Sequence, residues 1–143
     1  MKIYLGIDPG TVGAWAWVSE DGYACGDIHV DDIAWFLFEL NTVKMTNQIV
    51  LCALERGQAM PKQGVSSTFK YAHACGIIEG ILISLGIPYR TVRPNEWMKG
   101  LPKGKDAHLA AAQGRFPLAD LSKKKHVHRS EALMLADFAR RCL

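Results

Sequence analysis

The chain has 143 residues and a mass of 15.8 kDa, which is typical of one domain and excludes large multidomain ATPases and synthetases. Apolar residues make up 49% of the sequence and charged residues 22%, so the chain can bury a core and does not have the composition of a disordered protein. We therefore predict a single domain over residues 1–143.

Charge is unevenly distributed along the chain. Residues 1–55 contain two basic and eight acidic residues, a net charge of −6, whereas residues 56–143 contain fifteen basic and six acidic residues, a net charge of +9. A basic half of this kind favours an anionic partner, and nucleic acid is the commonest candidate.

The four cysteines lie far apart and lack the spacing of a zinc site, which suits a reducing compartment. The N-terminus reaches Asp8 before an apolar stretch of signal-peptide length can form. No apolar run is long enough to span a bilayer. We therefore expect a cytoplasmic protein with no membrane partner.

The first predicted elements are mainly strands. Apolar, β-prone runs predict strands over Met1–Ile7, Val12–Ser19 and Tyr23–Val30, and the short turns between them indicate an antiparallel meander. Apolar residues at helical spacing behind an acidic start predict a helix over Asp31–Lys44. The apolar run Gln48–Leu54 is the fourth strand.

Helices and one further strand follow. The polar segment Arg56–Thr68 is predicted to be a loop, and Phe69–Leu85 a long helix that ends at Gly86. The remaining elements are a strand over 87–92, a short helix over 94–97, and helices over 105–115 and 128–143. This order predicts an α/β fold with a mixed five-stranded sheet, its fourth and fifth strands parallel to the first, and helices on both faces.

Three of the four tryptophans are expected in the core. Trp15 and Trp17 alternate along a predicted strand, and Trp35 lies in an apolar helix, so packing is the favoured role for all three. The sequence leaves the role of Trp97, which lies beside a basic loop, open.

Acidic residues follow two predicted strands and lie on the last helix. Asp8 ends the first strand and Glu55 the fourth; if these strands are parallel neighbours, both carboxylates lie at one edge of the sheet. His128 and Glu131 are three residues apart and share one face of a helical turn. Such a set can hold Mg²⁺ or Mn²⁺, and two ions would activate a water and stabilise the leaving oxygen of a phosphodiester.

Each of these residues also has a structural interpretation. Asp8 before Pro-Gly can form a turn, Glu55 can be a solvated strand end, and His128 can lie on the surface. Glu131 can simply favour the helix dipole. Their joint occurrence, at element ends where one site could form, favours the catalytic interpretation.

Several motifs carry a family resemblance over nearly the whole chain. The segment IYLGIDPGTVGAWAW resembles the first motif of the RuvC-type Holliday junction resolvases, a branch of the RNase H-like superfamily. The segments VLCALE, FKYAHACGIIEGILISLGIP, VRPNEWMKG, the Lys105-Asp106 helix start and HRSEALMLA follow in the family's order. The loop QAMPKQGVSSTFK is most similar to that of small RuvC-like proteins of phages and prophages.

The resemblance implies a metal-dependent endonuclease that resolves four-way (Holliday) DNA junctions in recombination and repair, with Mg²⁺ or Mn²⁺, two ions per active site, and no nucleotide cofactor. Asp8, Glu55 and Glu131 match the family's catalytic acids, and His128 matches its remaining ligand position. His126 is an alternative for that position. Many relatives have aspartate where this chain has Glu131, so the spacing of the ions stays open.

The resemblance also implies a homodimer and assigns basic residues. It places the dimer contact on the helix Phe69–Leu85, where Gly76 and Gly80 permit close approach. Lys105 matches a catalytic lysine near the scissile phosphate. The residues expected to contact DNA are Lys62, Lys70, Lys99, Lys103, Lys105, Lys123, Lys124, Lys125 and Arg129.

Two other functions stay open from the sequence. One is an RNase H-like nuclease that acts on other branched DNA or on RNA, and the other is a catalytically inactive DNA-binding module. The retained acids argue against the second, because clustered carboxylates without a cation repel DNA. Sugar-kinase and actin-like ATPases share a motif like GIDPGT, but they need two domains of this topology, which the length excludes.

Overall fold

One mixed sheet organises the protein. The computed structural model describes all 143 residues, and its strands are β1 (Lys2–Asp8), β2 (Val12–Val18), β3 (Tyr23–His29), β4 (Gln48–Glu55) and β5 (Tyr89–Val92). Their order across the sheet is β3-β2-β1-β4-β5. Strand β2 is antiparallel to β1 and β3, while β4 is parallel to β1 and β5. The predicted meander and the predicted parallel strands are confirmed.

Five α-helices surround the sheet. They are α1 (Ile33–Thr46), α2 (Val65–Ser84), α3 (Pro94–Trp97), α4 (Lys105–Arg115) and α5 (Val127–Cys142). Short 3-10 turns at Val30–Asp32 and Lys124–His126 lead into α1 and α5. None of these helices combines the length and the hydropathy that crossing a bilayer requires.

Two apolar layers lie on opposite faces of the sheet, because successive residues of a strand point to opposite sides. On one face, Ile3 and Leu5 of β1 pack in a cluster with Phe36 of α1 and Ile78 of α2. On the other face, the sheet forms a second cluster with α3, α4 and α5. Helices therefore cover both faces, as the sequence predicted.

Helix α5 lies directly on β1 because Gly6 has no side chain. A Cβ atom at Gly6 would lie 2.2 Å from the carbonyl oxygen of Ala132 and 2.3 Å from the amide nitrogen of Ala136. Backbone atoms do not approach a Cβ that closely, so only glycine permits this contact. The close approach is made by the middle of α5, which packs against the strand that ends in Asp8.

Helix α2 begins at Val65, four residues before the predicted start. Gly64 precedes it in an extended conformation, and the amide of Thr68 donates to the carbonyl of Gly64 at 3.0 Å. The polar composition of 65–68 predicted a loop, but the helix starts there behind Gly64, with no side-chain hydrogen bond at its cap. The other end agrees with the prediction, because Gly86 adopts a φ of 63° just after the helix.

The tryptophan predictions hold for β2 and are wrong for α1. Trp15 is buried and Trp17 half-buried. Trp35 is 56% exposed and stacks on Phe38, with ring centroids 5.6 Å apart. The buried side of α1 contains Phe36 and Leu40. The apolar composition of the helix therefore did not show which of its faces meets the sheet.

Candidate active site

Asp8 and Glu55 lie side by side at the C-terminal ends of two parallel strands. Ile7 and Leu54 are a paired position of β1 and β4, and each acid is the next residue of its strand. Both side chains are buried, 5% and 8% exposed. The parallel register therefore places two buried carboxylates next to each other at one end of the sheet.

The first turn of α5 adds a histidine and a third carboxylate. His128 Nδ1 lies 3.0 Å from Asp8 Oδ2, and Glu131 is buried one turn further along. The potential ligand atoms of Asp8, His128 and Glu131 all lie within 4.8 Å of one another. Two carboxylates and one imidazole at this spacing can coordinate one divalent cation, and a donor set rich in oxygen suits Mg²⁺ or Mn²⁺.

These residues line an open cleft of about 740 Å³, which we call the acidic cleft. Asp8, Glu55, His128 and Glu131 form one side of it, and the other side includes Ser66, Ser67, Lys70 and Tyr71 at the N-terminal end of α2. The early start of α2 therefore brings the hydroxyl groups of Ser66 and Ser67 to the cleft, and Lys70 follows one turn later.

Crowding perturbs the ionisation of the cleft. Burial and the nearby charge of Asp8 raise the pKa of Glu55 to about 8. The same two effects raise the pKa of Glu131, whereas a hydrogen bond with Asp8 raises the pKa of His128. Carboxylates that repel each other in this way favour a divalent cation that neutralises them.

Lys105, the first residue of α4, reaches into the cleft. Its Nζ donates to Glu131 Oε1 at 2.5 Å, although 61% of the side chain is exposed. Burial lowers the pKa of Lys105, but the hydrogen bond to Glu131 and the surrounding carboxylates outweigh it and raise the pKa above its usual value. The cleft therefore has a charged ammonium group at its mouth.

The two histidines that the sequence could not separate are in different places. His126 is buried, and its Nδ1 accepts a hydrogen bond from the amide of Lys123 at 3.2 Å. Its Nδ1 also lies 3.6 Å from Asp120 Oδ1. The structure brings His128 to the carboxylates and leaves His126 in a turn before α5.

Only some of the lysines that were predicted to contact DNA lie at the acidic cleft. Besides Lys105, only Lys70 lines the acidic cleft. The others are exposed, in the loop before α2, in the loop between α3 and α4, and in the segment before α5: Lys62, Lys99, Lys103, Lys123, Lys124 and Lys125. These six extend the basic surface of the protein beyond the cleft.

Arg129 is placed differently from the expectation. Its side chain is 18% exposed and forms two hydrogen bonds with Asp27, of 2.7 and 2.9 Å. It also donates to the backbone and side-chain oxygens of Asp120, both at 3.1 Å. These ion pairs occupy the guanidinium group, which joins α5 to β3, and they argue against the predicted contact with DNA.

Two buried side chains behind the carboxylates were missed by the sequence analysis. Trp97 Nε1 donates to Glu55 Oε2 at 2.5 Å, and His108 Nδ1 lies 3.4 Å from Glu131 Oε1. The two rings pack at a tilt, with centroids 5.8 Å apart. The motif VRPNEWMKG contains Trp97, but no spacing rule connects it to an acid 42 residues earlier.

Comparisons with known proteins bear on the fold. No protein-family model matches the chain, and no curated protein matches it in sequence. T. thermophilus RuvC in complex with a Holliday junction substrate is similar with a TM-score of 0.66 and 16% identity, over 95% of this chain and 90% of that one. The chain has the RuvC fold. A second structure of Thermus thermophilus RuvC gives a TM-score of 0.63 and 18% identity, over 96% and 95% of the two chains.

The RuvC fold accounts for the arrangement of the site. The sheet order β3-β2-β1-β4-β5 and helices on both faces confirm the RNase H-like class that the motifs predicted. Identities of 16% and 18% establish the fold alone, and one fold supports many functions. The activity therefore has to be argued from the acidic cleft.

Proposed function

We propose that this protein is a metal-dependent endonuclease that resolves four-way DNA junctions by hydrolysing phosphodiester bonds. The observation that carries the proposal is the grouping of Asp8, His128 and Glu131, with ligand atoms within 4.8 Å of one another, beside the buried Glu55. A RuvC fold supports the choice of substrate, because a similar structure is that of a RuvC in complex with a Holliday junction.

The acidic cleft would hold the divalent ions. Asp8, Glu55, His128 and Glu131 are the proposed ligands for Mg²⁺ or Mn²⁺, with two ions per cleft. When bound, such ions supply Lewis-acid chemistry, which lowers the pKa of a water and neutralises charge on the phosphodiester. The carboxylates are buried and repel each other. Binding of a dication would neutralise them and remove this repulsion.

The other side chains of the cleft would bind and orient the DNA. Lys105 keeps its positive charge and lies at the mouth, where it would stabilise negative charge on the scissile phosphate. Across the cleft, Ser66, Ser67 and Lys70 would contact the sugar-phosphate backbone. The exposed lysines outside the cleft would hold the arms of the junction through phosphate contacts that weaken with salt.

The outer side of α2 supports a homodimer. Val65, Phe69 and Ile83 are 88%, 71% and 63% exposed, and they fall on the helical side that also presents Gly76 and Gly80. Nothing lies within 4 Å of a Cβ built on either glycine. Two copies joined along this helix by a two-fold axis would present two acidic clefts to opposed strands. Sedimentation of the purified protein should give the mass of a dimer, and the mass of a monomer would contradict the proposed homodimer.

A substrate panel tests the proposed function. Wild-type protein is incubated with four-way, three-way, flap and linear DNA and with an RNA duplex, each end-labelled, in Mg²⁺, Mn²⁺ or EDTA. We expect cleavage of the four-way junction in both metals and binding without cleavage in EDTA. Equal cleavage of linear duplex would contradict the junction assignment, and preference for the flap or the RNA would redirect it.

Variants of the acids complete this test. Asp8→Asn and Glu131→Gln are expected to bind the junction in EDTA like the wild type and to lose cleavage. Glu39→Gln is the control, because Glu39 is also a hydrogen-bonded carboxylate, accepting from Trp15, but it lies outside the cleft. Retained cleavage in either cleft variant would contradict the proposal.

A further inference from the structure

We propose that Trp97 and His108 are positioning residues, which hold the carboxylates of Glu55 and Glu131 in the orientation that binds the divalent ions. The inference rests on the function proposed above. Trp97 Nε1 donates to Glu55 Oε2 at 2.5 Å, and His108 Nδ1 lies 3.4 Å from Glu131 Oε1. Each side chain therefore contacts one proposed ligand and lies on its buried side.

Trp97 is suited to fix Glu55 without opposing a cation. An indole N–H can only donate, so it holds one oxygen of the carboxylate and leaves the other free. It carries no charge, whereas a lysine or arginine at this place would repel an incoming dication. Trp97 itself has little freedom, because it is 4% exposed and packs within the apolar layer beneath α5.

His108 performs the corresponding task for Glu131. With its hydrogen on Nδ1, the ring donates to the same carboxylate oxygen that accepts from Lys105. His108 is 5% exposed and lies one turn after Lys105 in α4. A change in either side chain would thus act on a proposed ligand from the side away from DNA.

The two rings link separate parts of the chain. Trp97 ends α3 and His108 lies in α4, yet their centroids are 5.8 Å apart. Every buried side-chain nitrogen and oxygen of the protein has a hydrogen-bond partner, so loss of the indole N–H would leave Glu55 Oε2 without its donor. Removal of a donor behind a metal ligand typically weakens metal binding by about 10- to 100-fold.

A direct measurement of Mn²⁺ affinity tests the inference without any nuclease reaction. Trp97→Phe keeps a buried aromatic ring but removes the N–H together with the five-membered part of the indole, so its control has to lose the same atoms from a buried tryptophan elsewhere. Trp15→Phe is the matched control, since Trp15 is also buried and donates to a carboxylate, Glu39, at 3.2 Å outside the cleft. Free Mn²⁺ is counted by electron paramagnetic resonance during titration of each DNA-free protein.

We expect the dissociation constant for Mn²⁺ to be about 10-fold larger in Trp97→Phe than in the wild type and unchanged in Trp15→Phe. Junction cleavage by Trp97→Phe should recover at Mn²⁺ concentrations above its raised dissociation constant, which a general loss of folding would not allow. Wild-type affinity in Trp97→Phe would overturn the inference alone. Absence of Mn²⁺ binding by the wild type would overturn the proposed function together with it.

A second pair of variants keeps the inference testable if Trp97→Phe does not fold. His108→Asn retains an amide donor close to the place of Nδ1, whereas His108→Leu does not. We expect His108→Leu to bind Mn²⁺ several-fold more weakly and His108→Asn to restore most of the affinity. Equal affinities in these two variants would show that His108 acts through packing alone and would overturn its positioning role.

Discussion

Replacing Glu55 with glutamine is expected to stabilise the metal-free protein while it abolishes cleavage. Burial and the charge of Asp8 raise the pKa of Glu55 from 4.5 to about 8 in the folded protein. Because the folded state holds this proton more tightly than the unfolded state, the contribution of Glu55 to stability is full below pH 4.5 and is lost as pH rises from there to about 8. Glutamine cannot ionise, so the variant avoids this loss.

The size of the effect follows from the pKa. One pKa unit corresponds to about 1.4 kcal/mol, so a rise from 4.5 to about 8 amounts to about 5 kcal/mol above pH 8. At pH 5, just above the ordinary pKa of 4.5, little of this free energy has accumulated, and the effect is about 1 kcal/mol. For a chain of this length, the difference of about 4 kcal/mol between the two pH values moves the unfolding midpoint by about 13 °C.

Thermal unfolding in EDTA between pH 5 and pH 9 measures this difference. The midpoint of Glu55→Gln should exceed that of the wild type by a margin that grows with pH, whereas Glu39→Gln, outside the cleft, should follow the wild type in parallel. Adding Mn²⁺ at pH 8 should raise the wild-type midpoint and leave Glu55→Gln nearly unchanged. A constant margin across the pH range would refute the electrostatic reasoning.

Three further changes probe the construction of the cleft. Gly6→Ala should lower the free energy of unfolding, measured in urea titrations, by about 3 kcal/mol, because the added Cβ meets the backbone of α5. Gly114→Ala is the control and should not lower it, because a Cβ at that position has no other atom within 4 Å. His128→Ala should weaken Mn²⁺ binding measured by calorimetry, whereas His126→Ala should lower stability and leave that affinity intact; the reverse pattern would reassign the ligand. Lys105→Met should bind Mn²⁺ at least as tightly as the wild type, since a competing cation is removed, yet cleave the junction about 10-fold more slowly; weaker Mn²⁺ binding would contradict this.

The order of elements and the strand ends could be predicted because they depend on local patterns. Apolar runs identified the strands, and Asp8 and Glu55 then fell at strand ends whatever the details of packing. The packing of α5 against Gly6 could not be predicted from the neighbouring sequence. A glycine within a β-prone run is compatible with a close approach of another backbone but does not say which element approaches. The start of α2 was missed because serines and threonines favour helix starts and loops alike.

Contacts between distant segments could not be predicted in the same way. Trp97 reaches Glu55 only because β4 and β5 are neighbours and α3 follows directly after β5. Arg129 lies in a basic stretch of sequence, and only the fold shows that Asp27 of β3 and Asp120 surround it. In both cases the partner is set by the sheet order, which composition and periodicity do not contain.

The cleft places ion binding in direct competition with stability of the metal-free fold. Asp8, Glu55 and Glu131 are buried close together, at the end of a sheet on which α5 packs backbone to backbone at Gly6. Protonation relieves the repulsion at low pH, and a dication relieves it at higher pH without moving the backbone. Substitutions that neutralise Glu55 or Glu131, whose pKa values are raised, should therefore make the metal-free protein more stable as they remove its affinity for ions, which is the opposite of what loss of a stabilising ion pair would do.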